Sequence, residues 1–335
     1  MDIKSTIKTI MPSFLLNRIR LIRYKKLCKS CYEYDAIRFT KYSNAFTRWD
    51  NPEKLIGQII AEYHVIEKGL AMPNMRMGFG QVILNDLINH CNLYASRFDR
   101  ENEQFIYALR VIAEYKFEHE KSNYKLEESL FKSIENLLSK NIESIPSEQV
   151  AISRNDYLKY TDSSFENFSN SRKSIRNFTG IVDLDIIKKA VSLAQNAPSA
   201  CNRQPSRVYV VQEKERIEKV LKVQSGNRGF GHLADKLIVL TAESGGYLGL
   251  NERNDVFVNG GIYAMNLLYA LHYYKIGACP LNWCSMPEQD IEIRKICGIL
   301  PSEAVIMIIA CGGVPENFKL VTSHRNDSSN ILKVI

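Results

Sequence analysis

The sequence predicts an α+β fold in which a mostly helical N-terminal half precedes a half of alternating strands and helices. Between residues 51 and 145, apolar side chains recur at the spacing of amphipathic helices. From about residue 167, short β-branched runs alternate with helical patterns. We therefore predict two domains, residues 1–165 and 166–335, in this chain of 335 residues.

The helical half contains four predicted helices after residue 50. Pro52 stands near the first position of one helix, where its missing N–H costs nothing. The others cover approximately residues 79–97, 102–120 and 125–140. Between the first two lies His64–Gly80, whose Gly and Pro content is typical of a binding-site loop or of a plain helix end and turn. The residues alone leave both interpretations open.

The C-terminal half is predicted to form a sheet with a buried centre. The run Lys236–Ala242 is continuously apolar, as expected of a central strand. Further strands are expected at Arg207–Gln212 and Ala304–Cys311. Asp183 is a plausible N-cap for one helix, and the others are expected at residues 214–223, 255–274 and 287–297.

Composition places the chain among ordinary globular proteins. Hydrophobic residues make up 45% and charged residues 24%. No apolar run of membrane-spanning length and no cleavable leader pattern are found. Eight cysteines without a paired framework favour a reducing cytoplasm. Cys28 and Cys31 form one CxxC without a second pair, so no metal site is expected.

Positive charge is concentrated at the N-terminus. Residues 1–50 hold eleven Lys or Arg and four Asp or Glu, an excess that equals the net charge of +7 of the whole chain. Residues 10–29 mix apolar and basic side chains, which suits peripheral contact with an anionic membrane or a solvated helix face. We favour the solvated face. No nucleic-acid reader motif accompanies the charge, so nucleic acid is not expected.

Two polar segments carry the chemistry. In Ser171–Phe178 (SRKSIRNF), Arg172 and Arg176 flank Ser174, and guanidinium forks match the oxygens of a phosphate monoester. We call this the basic segment. Asn196–Pro205 (NAPSACNRQP), the amide loop, is bracketed by prolines, and its small and amide residues suit a flat ligand with heteroatoms. A predicted helix joins the segments, which would form two sides of one site.

The order of basic segment, helix, amide loop and strand resembles the nitroreductase family of FMN-dependent oxidoreductases. The family motifs are R-R-S-x-R and P-S-x-x-N-x-Q-P-W. Here Lys173 stands at the second Arg and Ser206 at the Trp. The resemblance covers roughly the C-terminal half and implies a nitroreductase-like FMN-binding fold, a mixed β-sheet flanked by helices.

The resemblance also implies which residues bind FMN. A backbone N–H of Pro280–Asn282 would donate to flavin N5, which makes Leu281 and Asn282 the catalytic candidates. After a G-x-P turn, Arg325 fits the spacing of a phosphate ligand better than Lys319. The full cofactor set is Arg172, Lys173, Ser174, Arg176, Pro198, Ser199, Ala200, Asn202, Gln204, Pro280, Leu281, Asn282, Lys319 and Arg325.

By resemblance the protein transfers hydride from NAD(P)H through flavin N5 to a small organic acceptor, such as a nitro compound, quinone or enone. It would be a homodimer with FMN at the interface, and residues 330–335 would form a short strand that reaches the partner chain. If the segment His64–Gly80 is functional, it roofs the pocket, and His64, Lys68 and Arg76 select the substrate. The alternative is a flavin-binding accessory or interaction protein with reduced activity, at a membrane surface.

Overall fold

The computed structural model describes residues 12–45, 49–141, 146 and 149–335. The chain divides into two compact units, residues 1–57 and 58–335. The helices are α1 Ser13–Tyr42, α2 Pro52–Leu70, α3 Gln81–Arg97, α4 Glu103–Lys121, α5 Glu128–Asn141, α6 Arg154–Leu158, α7 Phe165–Ser171, α8 Leu184–Ala194, α9 Lys214–Val223, α10 Asp255–Tyr273 and α11 Pro287–Cys297. The strands are β1 Val150–Ser153, β2 Ser206–Val211, β3 Lys236–Glu243, β4 Gly277–Asn282, β5 Glu303–Gly312 and β6 Asn317–Leu320.

The N-terminal unit is dominated by α1, in which no residue is buried. Apolar and basic side chains share its faces: Arg18 lies one turn from Ile22, and Ile22 lies two turns from Lys29. An interfacial membrane helix separates these classes onto two faces. Membrane contact through residues 10–29 therefore stays a prediction, and its first two residues lie outside the described ones. Among the described helices, none has the length and apolar character needed to cross a bilayer.

The C-terminal unit is built around a four-stranded sheet in the order β2-β3-β5-β4. Each of the pairings described is antiparallel. Leu237 and Val239 of β3 face one hydrophobic cluster with α9 and α11. Ile238 and Leu240 face a second cluster with α8 and α10. Helices therefore cover both faces, β3 is the buried strand that its apolar run predicted, and the predicted α+β class is confirmed.

One side of α10 packs on the sheet and the other side is open. A methyl group at Gly260 would lie 2.5 Å from the Ile306 side chain, so glycine permits the close approach of helix and strand. On the opposite face Val258, Ile262 and Met265 are 56%, 41% and 36% exposed. Apolar residues extend around the axis of α10, a pattern that is typical of a buried helix. Among the described residues, none packs over these three side chains completely.

A second, two-stranded sheet was not predicted. β1 pairs antiparallel with β6, so a strand from before residue 165 joins one from the C-terminal end. Tyr157 of α6 is buried in the same cluster as the sheet. The predicted domain boundary between residues 165 and 166 stays a prediction. The predicted terminal strand at residues 330–335 stays a prediction: residues 328–330 form a 3-10 turn, and Ile331 to Ile335 have no strand partner among the described residues.

The first part of the segment His64–Gly80 differs from the expected loop. Its first seven residues belong to α2, which ends at Leu70, and the loop proper begins at Ala71. The ring of Phe79 folds back onto α2, where a methyl group at Gly69 would lie 2.0 Å from it. Met72 packs against the cluster beneath the sheet. Both ends of the loop therefore pack against other parts of the C-terminal unit.

Gly69 tests this packing. Gly69→Ala should lower the free energy of unfolding by about 1–3 kcal/mol, because the new methyl group overlaps the Phe79 ring. Urea unfolding of Gly69→Ala, Phe79→Ala and the double variant would measure the coupling. In the Phe79→Ala background the same change should cost little, since the overlapping ring is gone. An equal cost in both backgrounds would contradict the contact.

Candidate functional site

The basic segment runs along the outer edge of β4. The Ile175 N–H donates to the Ala278 carbonyl at 2.9 Å, and the Ile175 side chain is fully buried. Arg172, Ser174 and Arg176 are half-buried beside this pairing, so part of each side chain stays open to solvent.

Five cations gather around this segment without acidic partners. Among the described residues, none of Lys68, Arg172, Lys173, Arg176 and Arg325 forms an ion pair with a carboxylate. Burial, then Arg325 and Arg172, lower the pKa of Lys173. Burial, then Arg176, lower the pKa of Lys68. The cations therefore fall into two groups, one around Lys173 and one around Lys68.

A neutral histidine anchors the start of the basic segment. His272 of α10 is 1% exposed, and its Nε2 is hydrogen bonded to Ser171 Oγ at 2.8 Å. The rings of Tyr157 and Phe168 pack on it. Burial, helped by the positive charge of Arg172, lowers the pKa of His272 to about 4. The imidazole is therefore neutral near pH 7 and adds no charge beside Arg172.

The amide loop has an unusual backbone held by a buried amide. Cys201, Asn202 and Gln204 have φ values of 51°, 56° and 49°, in the left-handed region that non-glycine residues rarely adopt. Asn259 of α10, 5% exposed, accepts from the Ala200 N–H at 2.8 Å. Strained backbone of this kind persists where its surroundings hold it, as at ligand sites. The sequence analysis missed Asn259, and the signal was an amide within a mostly apolar helix.

Several other residues of the loop lie at the surface. Ser199 Oγ accepts from the Gln204 N–H at 2.9 Å, while Pro198, Asn202 and Gln204 are exposed. The loop and the basic segment stand at opposite ends of α8. A helix of 11 residues is roughly 16 Å long. Within one chain the two predicted sides of the site are therefore separated by the length of this helix.

The stretch Pro280–Asn282 is the end of strand β4 and not a turn. Since the Ala278 carbonyl points to the basic segment, the polar backbone groups of residues 280 and 282 point to the same open edge. The N–H of Leu281 is directed to β5, where Leu281 pairs with Ile308. The Asn282 carbonyl accepts from Gln224 Nε2 at 3.0 Å, away from β5. Because Pro280 has no N–H, Asn282 is the residue of this stretch whose N–H is directed to the edge.

Residues Thr322–Asp327, the C-terminal segment, are held by the helices. The His324 ring stacks on Tyr107 with centroids 5.2 Å apart, and the Asp327 N–H donates to Glu103 at 3.0 Å. This path brings Arg325 close enough to Lys173 to lower its pKa. Lys319 lies instead on β6, exposed and opposite Ala151.

Helix α2 reaches the basic segment through His64. Arg176 Nη2 donates to His64 Nε2 at 3.4 Å, and His64 Nδ1 donates to the Glu67 carboxylate. Glu67 is fully buried and also accepts from the Tyr107 hydroxyl at 2.8 Å. Arg76 is not brought to this group: its side chain is exposed and makes no hydrogen bond or ion pair with the described residues.

The comparison with protein families agrees with this geometry. Residues 170–228 match the model of the nitroreductase family. The match begins just before the basic segment and ends after α9, so the resemblance seen in the sequence is confirmed for this part of the chain. Nitroreductases are oxidoreductases, and the match supports that class for this protein. The helical N-terminal part lies outside the match.

Solved structures with similarity to the chain cover about half of it. No curated protein has a sequence that matches this chain. A putative NADH oxidase from Clostridium acetobutylicum is 24% identical over 49% of this chain and 97% of its own, with a TM-score of 0.43. An FMN-dependent nitroreductase from Clostridium difficile R20291 is 24% identical over 48% and 92%, with a TM-score of 0.40. A nitroreductase family protein from Streptococcus pneumoniae TIGR4 is 22% identical over 51% and 100%, with a TM-score of 0.45.

His272 should make the protein sensitive to acid. Its folded pKa of about 4 lies below the ordinary 6.5, so the unfolded chain binds the proton more readily between these values. The contribution of neutral His272 to the free energy of unfolding is fully present above about pH 6.5. The free energy of unfolding should then fall by up to about 3 kcal/mol as the pH drops to 4. Urea unfolding at several pH values measures this loss. His272→Gln should flatten the profile, whereas the exposed His232→Gln should not, and equal slopes in both variants would contradict the assignment.

Proposed function

We propose that the protein is an FMN-dependent oxidoreductase that transfers hydride from NAD(P)H to a small organic acceptor. The observation that carries the proposal is the group of cations around the basic segment, none of which forms an ion pair with a carboxylate among the described residues. When bound, FMN would supply the hydride chemistry at its N5 atom. The residues of the chain bind the cofactor, orient it and donate hydrogen bonds to it.

One group of cations suits the FMN phosphate. Arg172, Lys173 and Arg325 raise each other's electrostatic energy, as the lowered pKa of Lys173 indicates. A phosphate dianion would relieve this repulsion, and guanidinium groups bind its oxygens in pairs. Ser174, two residues after Arg172, adds a hydroxyl. The donor set therefore fits a phosphate monoester.

The open edge of β4 suits the flavin ring. The backbone N–H of Asn282 is directed to this edge, whereas that of Leu281 is directed to β5. A fixed N–H donor near N5 would stabilise the reduced ring without reorganisation. Of the two catalytic candidates, Asn282 is therefore the one that we assign as donor.

We further propose that two chains complete each site. The exposed apolar face of α10, with Val258, Ile262 and Met265, is suited to pair with the same face of a second copy. The amide loop is fixed to α10 through Asn259. Pairing of the two α10 helices would therefore carry the loop of one chain towards the basic segment of the other. Its ligands would be Pro198, Ser199, Ala200, Asn202 and Gln204.

The alternative is a flavin-binding accessory or interaction protein that has lost turnover. The exposed α1, rich in basic and apolar side chains, is the observation that favours an interaction role. Both proteins would bind FMN and be yellow. Anaerobic addition of NADH or NADPH separates them, because only the enzyme loses its flavin absorbance. Persistence of the colour with both donors would favour the accessory protein.

Arg172 tests the phosphate site. Arg172→Ala should weaken FMN binding roughly ten- to 150-fold, because a charge-assisted hydrogen bond contributes about 1.5–3 kcal/mol. Fluorescence titration of the apoprotein with FMN measures this. Arg216→Ala is the matched control, because Arg216 is exposed on α9 and pairs with Glu213 at the surface. Unchanged FMN affinity in Arg172→Ala would show that the phosphate lies elsewhere.

Ile262 tests the dimer. Ile262→Glu should give a monomer at micromolar concentration, since burial of an unpaired carboxylate costs several kcal/mol. The monomer should also bind FMN weakly, because the amide loop comes from the second chain. Analytical ultracentrifugation and FMN titration measure the two effects. Ile291→Glu, at a similarly exposed position on α11, should change neither. A dimer that survives Ile262→Glu would rule out the α10 interface.

A further inference from the structure

The segment between β3 and α10, Ser244–Asn254, packs against the amide loop. We call it the connecting segment, and it lies outside the family match. Arg203 of the loop donates to the Glu252 carboxylate at 2.7 Å, and its guanidinium lies 5.4 Å from the centre of the Tyr247 ring. The exposed fractions of the two charged side chains are 16% and 17%. Solvent therefore screens this ion pair less than the pairs on exposed helix faces.

Glu252 is itself fixed within the connecting segment. Its other carboxylate oxygen accepts from the Leu248 N–H at 2.6 Å. The Leu248 N–H, and then the Arg203 guanidinium, lower the pKa of Glu252, so the carboxylate stays charged near pH 7. The turn that carries Glu252 is a 3-10 helix, Leu250–Glu252. One carboxylate thereby joins the backbone of the connecting segment to the amide loop.

Tyr247 forms a second link to the loop through Asn259. Asn259 Nδ2 donates to the Tyr247 hydroxyl at 3.1 Å, while Asn259 Oδ1 accepts from the Ala200 N–H at 2.8 Å. Asn259 Nδ2 also donates to the Asp255 carbonyl, one turn earlier in α10, at 2.7 Å. Both ends of this amide therefore have partners, and Tyr247 contacts Arg203 as well as the group that holds Ala200.

Arg203 stands between two of the proposed flavin ligands. Asn202 and Gln204 are exposed, whereas Arg203 is partly buried against the connecting segment. Asn202 and Gln204 have left-handed backbone, which costs free energy in residues other than glycine and persists where contacts hold it. The contacts of Arg203 therefore hold the backbone from which both amide side chains project.

We propose that Glu252 is a positioning residue for the flavin ring, because it fixes the amide loop through Arg203. A loop that already has its bound conformation loses less conformational entropy when the ligand binds. The amides of the loop suit the heteroatoms of the ring, whereas the phosphate is assigned to the basic segment. Loss of Glu252 should therefore weaken binding of the ring and not of the phosphate. This inference rests on the proposed function.

Two flavins that differ in the phosphate alone, FMN and riboflavin, test this division. Glu252→Ala should weaken both by the same factor, about three- to tenfold, because the amide loop must then become ordered on binding. Arg172→Ala is the reference for the phosphate and should weaken FMN but not riboflavin. Fluorescence titration of the apoprotein measures each dissociation constant. Glu215→Ala is the matched control: it removes a carboxylate from an exposed ion pair with Lys219 on α9 and should change neither affinity.

Hydrogen exchange of the apoprotein, followed by mass spectrometry, tests the loop without any flavin. Loop residues whose N–H groups donate to acceptors within the chain include Ala200, Asn202, Arg203 and Gln204. In Glu252→Ala, peptides from residues 196–205 should exchange faster, whereas those from residues 171–178 should be unchanged. The melting temperature should stay close to that of the Glu215→Ala control, because the effect is confined to the loop.

A double variant separates the ion pair from other effects of Glu252. Arg203→Met should speed exchange of the loop and weaken both flavins as Glu252→Ala does. Addition of Glu252→Ala to Arg203→Met should cause little further change, because the two residues act through one contact. Additive losses in the double variant would mean that Glu252 does not act through Arg203.

Three further results would overturn the proposal. Unchanged exchange of the amide loop in Glu252→Ala would mean that the ion pair does not hold the loop. A loss of FMN affinity without loss of riboflavin affinity would mean that the loop serves the phosphate. Faster exchange throughout the chain with a lower melting temperature would mean that Glu252 is only structural. Failure of the proposed function is a separate result: a wild-type protein that binds neither flavin refutes the oxidoreductase, and the exchange experiment then decides alone whether Glu252 holds the loop.

Discussion

The pairing of the basic segment with the edge of β4 is the contact on which the site depends. The hydrogen bond from Ile175 to Ala278 fixes which side chains of the segment enter the core and which face outward. A slip of one residue would bury the arginines and expose Ile175. The same pairing leaves the Asn282 end of β4 open, so one register positions both the cations and the backbone donor. His272 holds the beginning of the segment, and the bridge between Thr179 and Gly313 holds its end.

Burial of apolar side chains stabilises this fold, whereas the repulsion between the clustered cations destabilises it. Lys68 and Lys173 both have lowered pKa values, which means that the folded protein disfavours their charged forms. The layers on each face of β3 supply apolar contacts that offset this cost. Neutral His272 avoids a further cation at the most crowded point. The arrangement is typical of a binding site, where stability is given up for affinity.

The sequence was most informative where local signals are strong. Asp183 caps α8 through the Asp185 N–H, and Pro287 and Gly298 bound α11, so these helices were predicted to within a residue or two. β1 and β6 have four residues each and no alternating pattern, so they were missed. His64 was assigned to a loop because the glycines after it dominated the pattern, although α2 continues to Leu70. The contact between His64 and Arg176 joins residues 112 apart in sequence, which no local pattern encodes. The exposed side of α10 could not be predicted either, because periodicity does not reveal which apolar face lacks a partner within one chain.

The buried carboxylate of Glu67 has a consequence for how the chain could be divided. It joins α2 to Tyr107 of α4 and to the C-terminal segment that carries Arg325. Strand β1 pairs with β6 just before that segment. A chain cut near residue 166 would therefore lose the supports that hold its own last residues, and with them one cation of the phosphate group. The helices α2 and α4 and the residues after β6 therefore support each other, and each is expected to be less stable without the other.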